Sequence, residues 1–328
     1  MTAPSPAAAN RIVYYAFPNA KIQGGQKMIL RHVETLRDLG FNAIYWTTKA
    51  TTLPTWLSHH VPVEYSTPIR RGDVVVLPED AVNSIATVAG LDHPVVIFCQ
   101  NQFILAAFAL DALDRFPASR SPTFMAVGQG QAATIGRLYP HAPVEVVPCF
   151  ADDRLFRPAA EKSPAIAYMP KKRGLEPKII RGLLRKLHAR HAGRPWLEID
   201  GKPEAEVAEA LAGAELYLSL SRFESVGMST LEAMASGCVC AGFTGVGGQD
   251  YATPANGFWA PDDDCEAGAD ALARAADVVL AGGPPLRRLR EAGEETARAW
   301  SYARFRDALE ETWMRLAPGA RLKDGPLD

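Results

Sequence analysis

Short apolar runs alternate with helical patterns along most of the chain, from Arg11 to Leu316. In the first half the predicted strands are residues 11–17, 42–47, 73–77, 94–99, 123–127 and 144–148, and the predicted helices are residues 28–39, 103–114 and 132–139. Gly24 and Gly25 are predicted to lie in a loop before the first helix. Continuous apolar strands that alternate with helices are typical of a parallel sheet covered on both faces.

The alternation breaks at residues 157–164, a polar stretch with two prolines, which predicts a linker. It then restarts with predicted strands at residues 165–169, 196–199, 216–220 and 239–243, and predicted helices at residues 177–192, 204–212, 228–235, 266–280, 286–300 and 302–316. We therefore predict two α/β domains. Because open parallel sheets bind ligands at the carboxyl ends of their strands, each domain is expected to offer one side of a shared cleft.

Composition excludes several classes of function. The chain has 328 residues, with 35 Lys and Arg against 37 Asp and Glu, and this balance predicts no nucleic-acid partner. Five irregularly spaced cysteines favour reduced thiols over a metal site. The first ten residues lack the pattern of a signal peptide, and no apolar run is long enough to cross a bilayer. We therefore predict a cytoplasmic protein.

The segment at residues 216–251 carries the most chemical information. Glu224 lies in the loop after a predicted strand, and Glu232 lies eight residues later in the following helix. Between them, Gly227 permits a close approach of backbone to ligand, and the N–H groups of the first helical turn suit a phosphate. Glu232 could then accept hydrogen bonds from ribose hydroxyls. The alternative is a surface glutamate after a loop that needs only a flexible glycine.

This segment resembles the retaining glycosyltransferases of family 4, which have the GT-B fold. The resemblance rests on Ser221, the two glutamates, the sequence EAMASG at residues 232–237 and the Gly247–Gly248 pair. Weaker matches occur in the expected order at Gly24–Gly25, residues 156–158, Gly257, Asp262 and Trp300–Ser301. The resemblance implies two facing Rossmann-like parallel-sheet domains, residues 1–157 and 158–300, with a C-terminal helix in residues 301–328 returning to the N-terminal domain.

The resemblance also implies roles for individual residues. Glu232 would bind the ribose of a nucleotide-sugar donor, and Glu224 would contact the transferred sugar as a catalytic residue. The remaining donor-binding positions would be backbone groups at Gly25, Gly227, Met228 and Ser229.

A basic run replaces the Gly-Arg and Lys pattern that the family usually has. Lys171, Lys172 and Arg173 follow a predicted strand, where cations could neutralise a diphosphate. Lys171 is predicted to bind the donor, and Lys172 and Arg173 are predicted to be catalytic, although which of the three reaches the phosphates stays open. A solvated basic loop is the alternative.

The mechanism implied by the family retains the anomeric configuration and needs neither a metal nor a cofactor. Fixed amides and cations would stabilise the charge that grows on the leaving phosphate. The acceptor, a glycan or a lipid-linked glycan, is expected on the N-terminal side, where Glu79, Gln100 and Asn101 follow predicted strands. A helix cap or a loop residue is the alternative for each. The family suggests a role in surface polysaccharide synthesis.

Two other functions remain open. One is a nucleotide-sugar epimerase of the same fold, and the other is an inactive GT-B subunit that binds a nucleotide sugar or a partner enzyme. A peripheral contact with the inner face of the membrane through Arg287, Arg288 and Arg290 is also open, although a solvated helix face is the favoured interpretation.

Overall fold

The computed structural model describes residues 10–17, 24–48 and 53–322. The chain divides into two compact units: unit 1 comprises Met1–Val147 with Arg306–Asp328, and unit 2 comprises Pro148–Phe305. The predicted domain boundaries, after residues 157 and 300, stay a prediction.

Unit 1 is built on a seven-stranded parallel sheet. Its strands are β1 (Ile12–Tyr15), β2 (Ala43–Thr47), β3 (Val63–Tyr65), β4 (Val74–Pro78), β5 (Val95–Cys99), β6 (Thr123–Ala126) and β7 (Val144–Val146). They are ordered β3-β2-β1-β4-β5-β6-β7, and every neighbouring pair is parallel. The central strands are apolar along their whole length and fully buried, as expected for a sheet covered on both faces.

In the described residues of the first part of the chain, five α-helices accompany this sheet. They are α1 (Gly24–Asp38), α2 (Val82–Val88), α3 (Gln102–Ile104), α4 (Leu110–Leu113) and α5 (Gln129–Leu138), with a π-helical turn at Leu105–Ala109 between α3 and α4. Helix α1 begins at Gly24, so the prediction of a loop at Gly24 and Gly25 is wrong. The two glycines form the first turn of the helix, and a Cβ at Gly25 would lie 3.4 Å from the amide group of Gln100.

Unit 2 is built on a five-stranded parallel sheet. Its strands are β8 (Ser163–Tyr168), β9 (Trp196–Glu198), β10 (Ala214–Leu220), β11 (Val239–Phe243) and β12 (Gly257–Ala260), ordered β12-β11-β10-β8-β9. Its helices are α6 (Glu176–Leu187), α7 (Glu204–Ala212), α8 (Met228–Ala235), α9 (Cys265–Ala281), α10 (Gly283–Ala299) and the beginning of α11 (Tyr302–Leu316). The core packs β-strand side chains such as Leu218 and Phe243 against the alanine-rich face of α9.

Helix α11 crosses the division after Phe305 and ends in unit 1. Trp313 of this helix is fully buried, and its ring centroid lies 6.1 Å from that of Tyr14 in β1. An isolated antiparallel bridge then joins Arg321 to Phe41. These contacts fix residues 313–321 to the first strands of unit 1. The prediction of an α/β fold with two Rossmann-like sheets and a returning C-terminal helix is confirmed.

Candidate functional site

The candidate site lies at the carboxyl edge of the unit 2 sheet. Strand order places β10 between β8 and β11, with β12 next to β11. The loops that follow these four strands therefore emerge side by side, at the edge where open parallel sheets bind ligands. Residues 171–173 follow β8, residues 221–227 join β10 to α8, and residues 244–250 and 261–264 follow β11 and β12.

Gly227 shapes the turn that enters α8. Its φ of 81° lies in the left-handed region, and a Cβ there would be 3.0 Å from Ser221 Oγ and 3.3 Å from the Tyr251 hydroxyl. The Tyr251 hydroxyl donates to the Gly227 carbonyl oxygen at 3.1 Å. Helix α8 starts without a side-chain cap. The first N–H groups of α8 and the positive end of its dipole suit an anion.

The predicted donor-binding residues of α8 lie within two turns of that helix start. Met228 and Ser229 are half-buried in the first turn, and Glu232 is 8% exposed in the second. The structure thus brings Gly227, Met228, Ser229 and Glu232 together, while the ribose role of Glu232 stays a prediction.

Glu224 and Lys172 form an ion pair at the mouth of the same turn. Lys172 Nζ lies 2.8 Å from Glu224 Oε1 and also donates to the Phe223 carbonyl oxygen at 2.9 Å. Phe223 has a φ of 50° and an exposed ring, so the loop presents an aromatic face in a conformation that non-glycine residues rarely adopt. Lys171 is exposed in the adjacent turn. The pair places one acidic and one basic group beside the start of α8.

Arg173 lies beneath this loop and is buried. Its guanidinium donates to the Ser221 carbonyl oxygen from both Nε and Nη2, at 3.4 and 3.3 Å, and to the carboxylates of Glu176 and Asp263 from Nη1. The pKa of Asp263 is lowered by its hydrogen bond with Arg173 and by the positive charge of that side chain. A contact between Arg173 and a phosphate stays a prediction.

The predicted acceptor residues lie at strand ends of unit 1. Glu79 follows β4 and accepts the backbone N–H of Gln100 at 3.0 Å, and burial raises the pKa of Glu79 to about 8. Asn101 follows β5 and caps α3 by accepting the N–H groups of Phe103 and Ile104. Asn101 therefore has the capping contact that was the alternative to acceptor binding, and the acceptor roles of both residues stay predictions.

Three residues that shape the unit 2 site were assigned no contact from the sequence, although Gly247 and Asp262 contribute to the family resemblance. Tyr251 holds the Gly227 carbonyl, and Asp262 accepts the Gly245 N–H at 3.2 Å. Gly247 lies against the backbone of the 221–227 loop, because a Cβ there would come within 2.3 Å of the Ser225 carbonyl carbon. Gly247 and Tyr251 belong to the segment at residues 216–251, but their partners lie about twenty residues earlier in the chain, beyond the reach of a local motif.

Within the described ranges, no cluster of three or more His, Cys, Asp and Glu side chains is arranged to hold a metal ion. In the same part of the chain, no helix has the length and apolar character needed to cross a membrane. The predictions of metal independence and of a cytoplasmic location remain predictions.

Residues 178–297 match the protein family described as "Glycosyl transferases group 1". A curated relative is the alpha-1,6-glucosyltransferase of Actinobacillus pleuropneumoniae serotype 7 (strain AP76). It is 26% identical over 246 residues, which cover 71% of this chain and 72% of the relative.

Solved structures of glycosyltransferases are similar over nearly the whole chain. Sucrose-phosphate synthase from Thermosynechococcus elongatus has a TM-score of 0.70 at 15% identity, covering 94% of this chain and 99% of that one. HepE of Anabaena, solved with UDP-glucose, has a TM-score of 0.70 at 14% identity, covering 93% and 99%. The structural likeness shows that the fold is GT-B, and the family match and the curated relative support a glycosyltransferase.

Proposed function

We propose that this protein is a retaining, metal-independent glycosyltransferase that moves glucose from UDP-glucose to a glycan or a lipid-linked glycan. The observation that carries the proposal is the start of α8, where Gly227 follows Glu224, the ion-pair partner of Lys172, and precedes the buried Glu232 along the chain. The similarity to a glucosyltransferase and to a structure solved with UDP-glucose supports the choice of donor. A role in surface polysaccharide synthesis rests on the resemblance to family 4.

In the proposed complex the diphosphate lies at the start of α8, where the backbone N–H groups of Met228 and Ser229 donate to it. Lys172 adds a positive charge on the other side, with Lys171 next to it. These groups stabilise the negative charge that develops as UDP leaves, which lowers the barrier to glycosyl transfer. The ribose hydroxyls donate to Glu232.

Glu224 is proposed to accept hydrogen bonds from hydroxyls of the glucose. In the proposed complex Lys172 contacts the diphosphate and Glu224 contacts the glucose. The ion pair between these two side chains must therefore break when the donor binds. Donor binding would thus release Lys172 toward the diphosphate and Glu224 toward the sugar. In unit 1, Gly25 at the start of α1 is proposed to bind the donor phosphates. The loop held by Glu79 is proposed to bind the acceptor.

A ligand screen tests the donor first. Thermal shifts with UDP, GDP, dTDP and CMP report nucleotide preference, because a ligand at 100 times its dissociation constant stabilises the folded state by about 2.7 kcal/mol. We expect UDP to give the largest shift, with and without EDTA. Release of UDP from UDP-glucose on addition of glucan or lipid-linked acceptors then measures transfer, and NMR of the product gives the anomeric configuration.

Two variants separate the roles of the glutamates. Glu232→Ala should weaken UDP binding by about tenfold, whereas Glu224→Ala should chiefly lower turnover of UDP-glucose. Glu206→Ala on α7, which removes the exposed ion pair of Glu206 with Lys202, is the control and should change neither. Wild-type UDP affinity in Glu232→Ala would contradict the ribose role. Nucleotide binding without any transfer would favour the inactive binding subunit, and a changed sugar in free UDP-sugar would favour the epimerase.

A further inference from the structure

Arg173 contacts the ends of several strands at once. It follows β8 and donates to the carbonyl oxygen of Ser221 after β10 and to the carboxylate of Asp263 after β12. Its guanidinium carbon lies 4.5 Å from the ring centroid of Phe243, the last residue of β11. A third acceptor, Glu176 at the start of α6, lies 3.4 Å from Nη1. One side chain therefore joins the carboxyl ends of four neighbouring strands.

The two neighbouring cations have opposite environments. The side chain of Arg173 is 1% exposed and that of Lys172 is 40% exposed. For Arg173 to reach a phosphate, it would have to leave two carboxylates, a backbone carbonyl and an aromatic face. An arginine has a planar fork that serves several fixed acceptors at once, a geometry that suits a structural hub. Lys172 already lies at the surface of the site.

Two of the loops that Arg173 contacts carry backbone strain. Phe223 has a φ of 50° and Asp263 has a φ of 68°, both in the region that disfavours non-glycine residues. Such conformations persist where the surroundings hold them, and they are frequent in functional sites. Lys172 contacts the Phe223 carbonyl and the Glu224 carboxylate, and Arg173 contacts the Ser221 carbonyl of the same loop.

We propose that Arg173 is a positioning residue rather than a ligand of the donor phosphates. It fixes residues 221–224, and thereby Glu224, through the Ser221 carbonyl, and it is itself oriented by Asp263. Lys172 is then the cation of this pair that contacts the β-phosphate. The inference rests on the proposed function of the same site. It goes beyond that function by giving the two cations different roles: Lys172 binds phosphate, whereas Arg173 sets the position of Glu224, which binds the sugar.

The test compares how strongly each variant holds the β-phosphate with how fast it turns over. The first readout is the ratio of the affinities for the nucleoside diphosphate and monophosphate that the thermal-shift screen selects, UDP and UMP under the proposed function. The second is kcat for nucleotide release at saturating nucleotide sugar. We expect Lys172→Ala to lower the affinity ratio by about tenfold, because an ion-paired contact to the β-phosphate is lost.

Arg173→Lys and Asp263→Asn should behave alike and differently from Lys172→Ala. Each should lower kcat by about tenfold or more while the affinity ratio stays within about twofold of wild type. Because both changes disrupt one contact, the double variant should be no worse than the poorer single variant. Asp263 is 63% exposed, so Asp263→Asn tests the contact even where a change at buried Arg173 affects folding. Arg190→Lys, which alters an exposed ion pair with Asp277, is the matched control.

Two results would overturn the inference. The first is an affinity ratio in Arg173→Lys that falls as far as in Lys172→Ala while Asp263→Asn matches wild type, because the guanidinium would then contact the phosphate itself. The second is wild-type kcat in both Arg173→Lys and Asp263→Asn. Failure of the proposed function gives a different result, since the wild-type protein would then bind none of the nucleoside diphosphates, or would bind one without transferring sugar to any acceptor.

Discussion

Replacing Gly227 by alanine tests the geometry on which the donor site depends. A non-glycine residue in the left-handed region costs about 1–2 kcal/mol. The added Cβ would also lie 3.0 Å from Ser221 Oγ and 3.3 Å from the Tyr251 hydroxyl. Movement of the Tyr251 hydroxyl away from this Cβ would break its hydrogen bond to the Gly227 carbonyl oxygen. A hydrogen bond of this kind contributes about 1 kcal/mol. The total penalty is therefore about 2–3 kcal/mol.

The penalty divides between folding and binding. Where the turn keeps its conformation, the whole cost appears as a lower free energy of unfolding. If the turn instead shifts to relieve the strain, binding of UDP must restore the original conformation. The affinity for UDP then falls by up to about 100-fold. Urea unfolding and isothermal titration with UDP measure the two parts. We expect their sum to match the total penalty, with a measurable part in binding.

Gly201→Ala is the matched control for this change. Gly201 has a φ of 61°, but a Cβ there would meet nothing within 4 Å, so only the backbone penalty applies. We expect a stability loss of about 1–2 kcal/mol and wild-type UDP affinity. The reasoning is refuted if Gly227→Ala also keeps wild-type UDP affinity and loses no more stability than Gly201→Ala.

Three further changes test the stability of the two units. Lys162 donates to four backbone carbonyl oxygens at 2.7–3.4 Å, at the ends of α7 and α8 and at the start of β10. Lys162→Met removes these hydrogen bonds and should lower the free energy of unfolding in urea by about 2–3 kcal/mol. Burial raises the pKa of Glu79 from 4.5 to about 8, so the contribution of Glu79 to stability is full below pH 4.5 and is lost as the pH rises through about 8. Glu79→Gln should remove this part of the pH dependence of the free energy of unfolding. A urea-unfolding profile from about pH 5 to 8.5 that is the same in the variant and the wild type would contradict the assignment. Trp313→Ala should cost about 3–5 kcal/mol because the side chain is fully buried, whereas Met314→Ala, at a 40% exposed neighbour, should stay within about 0.5 kcal/mol of wild type in the same assay.

The elements with strong periodicity could be predicted from the sequence. Helix α8 and strand β11 have the predicted bounds, as do α7 and α11. Strand β3, helix α2 and strand β12 were not predicted. β3 has three residues and β12 has four, and both lie at the edges of their sheets, where pairing with a neighbouring strand rather than local pattern decides the structure.

The site could be predicted only where its residues are close in sequence. Gly227 and the two glutamates belong to one local segment, so the structure places them around a single helix start. The environment of Arg173 could not be predicted, because its acceptors Ser221 and Asp263 come from loops 48 and 90 residues later. From the sequence, any of Lys171, Lys172 and Arg173 could reach the phosphates. Burial by residues distant in the chain distinguishes Arg173 from the two exposed lysines.

The returning helix has a consequence for the order in which the chain folds. Translation proceeds from the N-terminus, and domains generally fold as units when their residues are available. Unit 2 is continuous in sequence, but unit 1 needs Trp313 beneath Tyr14, and the backbone of Ala320 and Leu322 beside Asn42 and Gly40. Strands β1 and β2 therefore emerge from the ribosome well before residues 313–322, and in that interval their apolar surface is exposed to chaperones and to other unfinished chains.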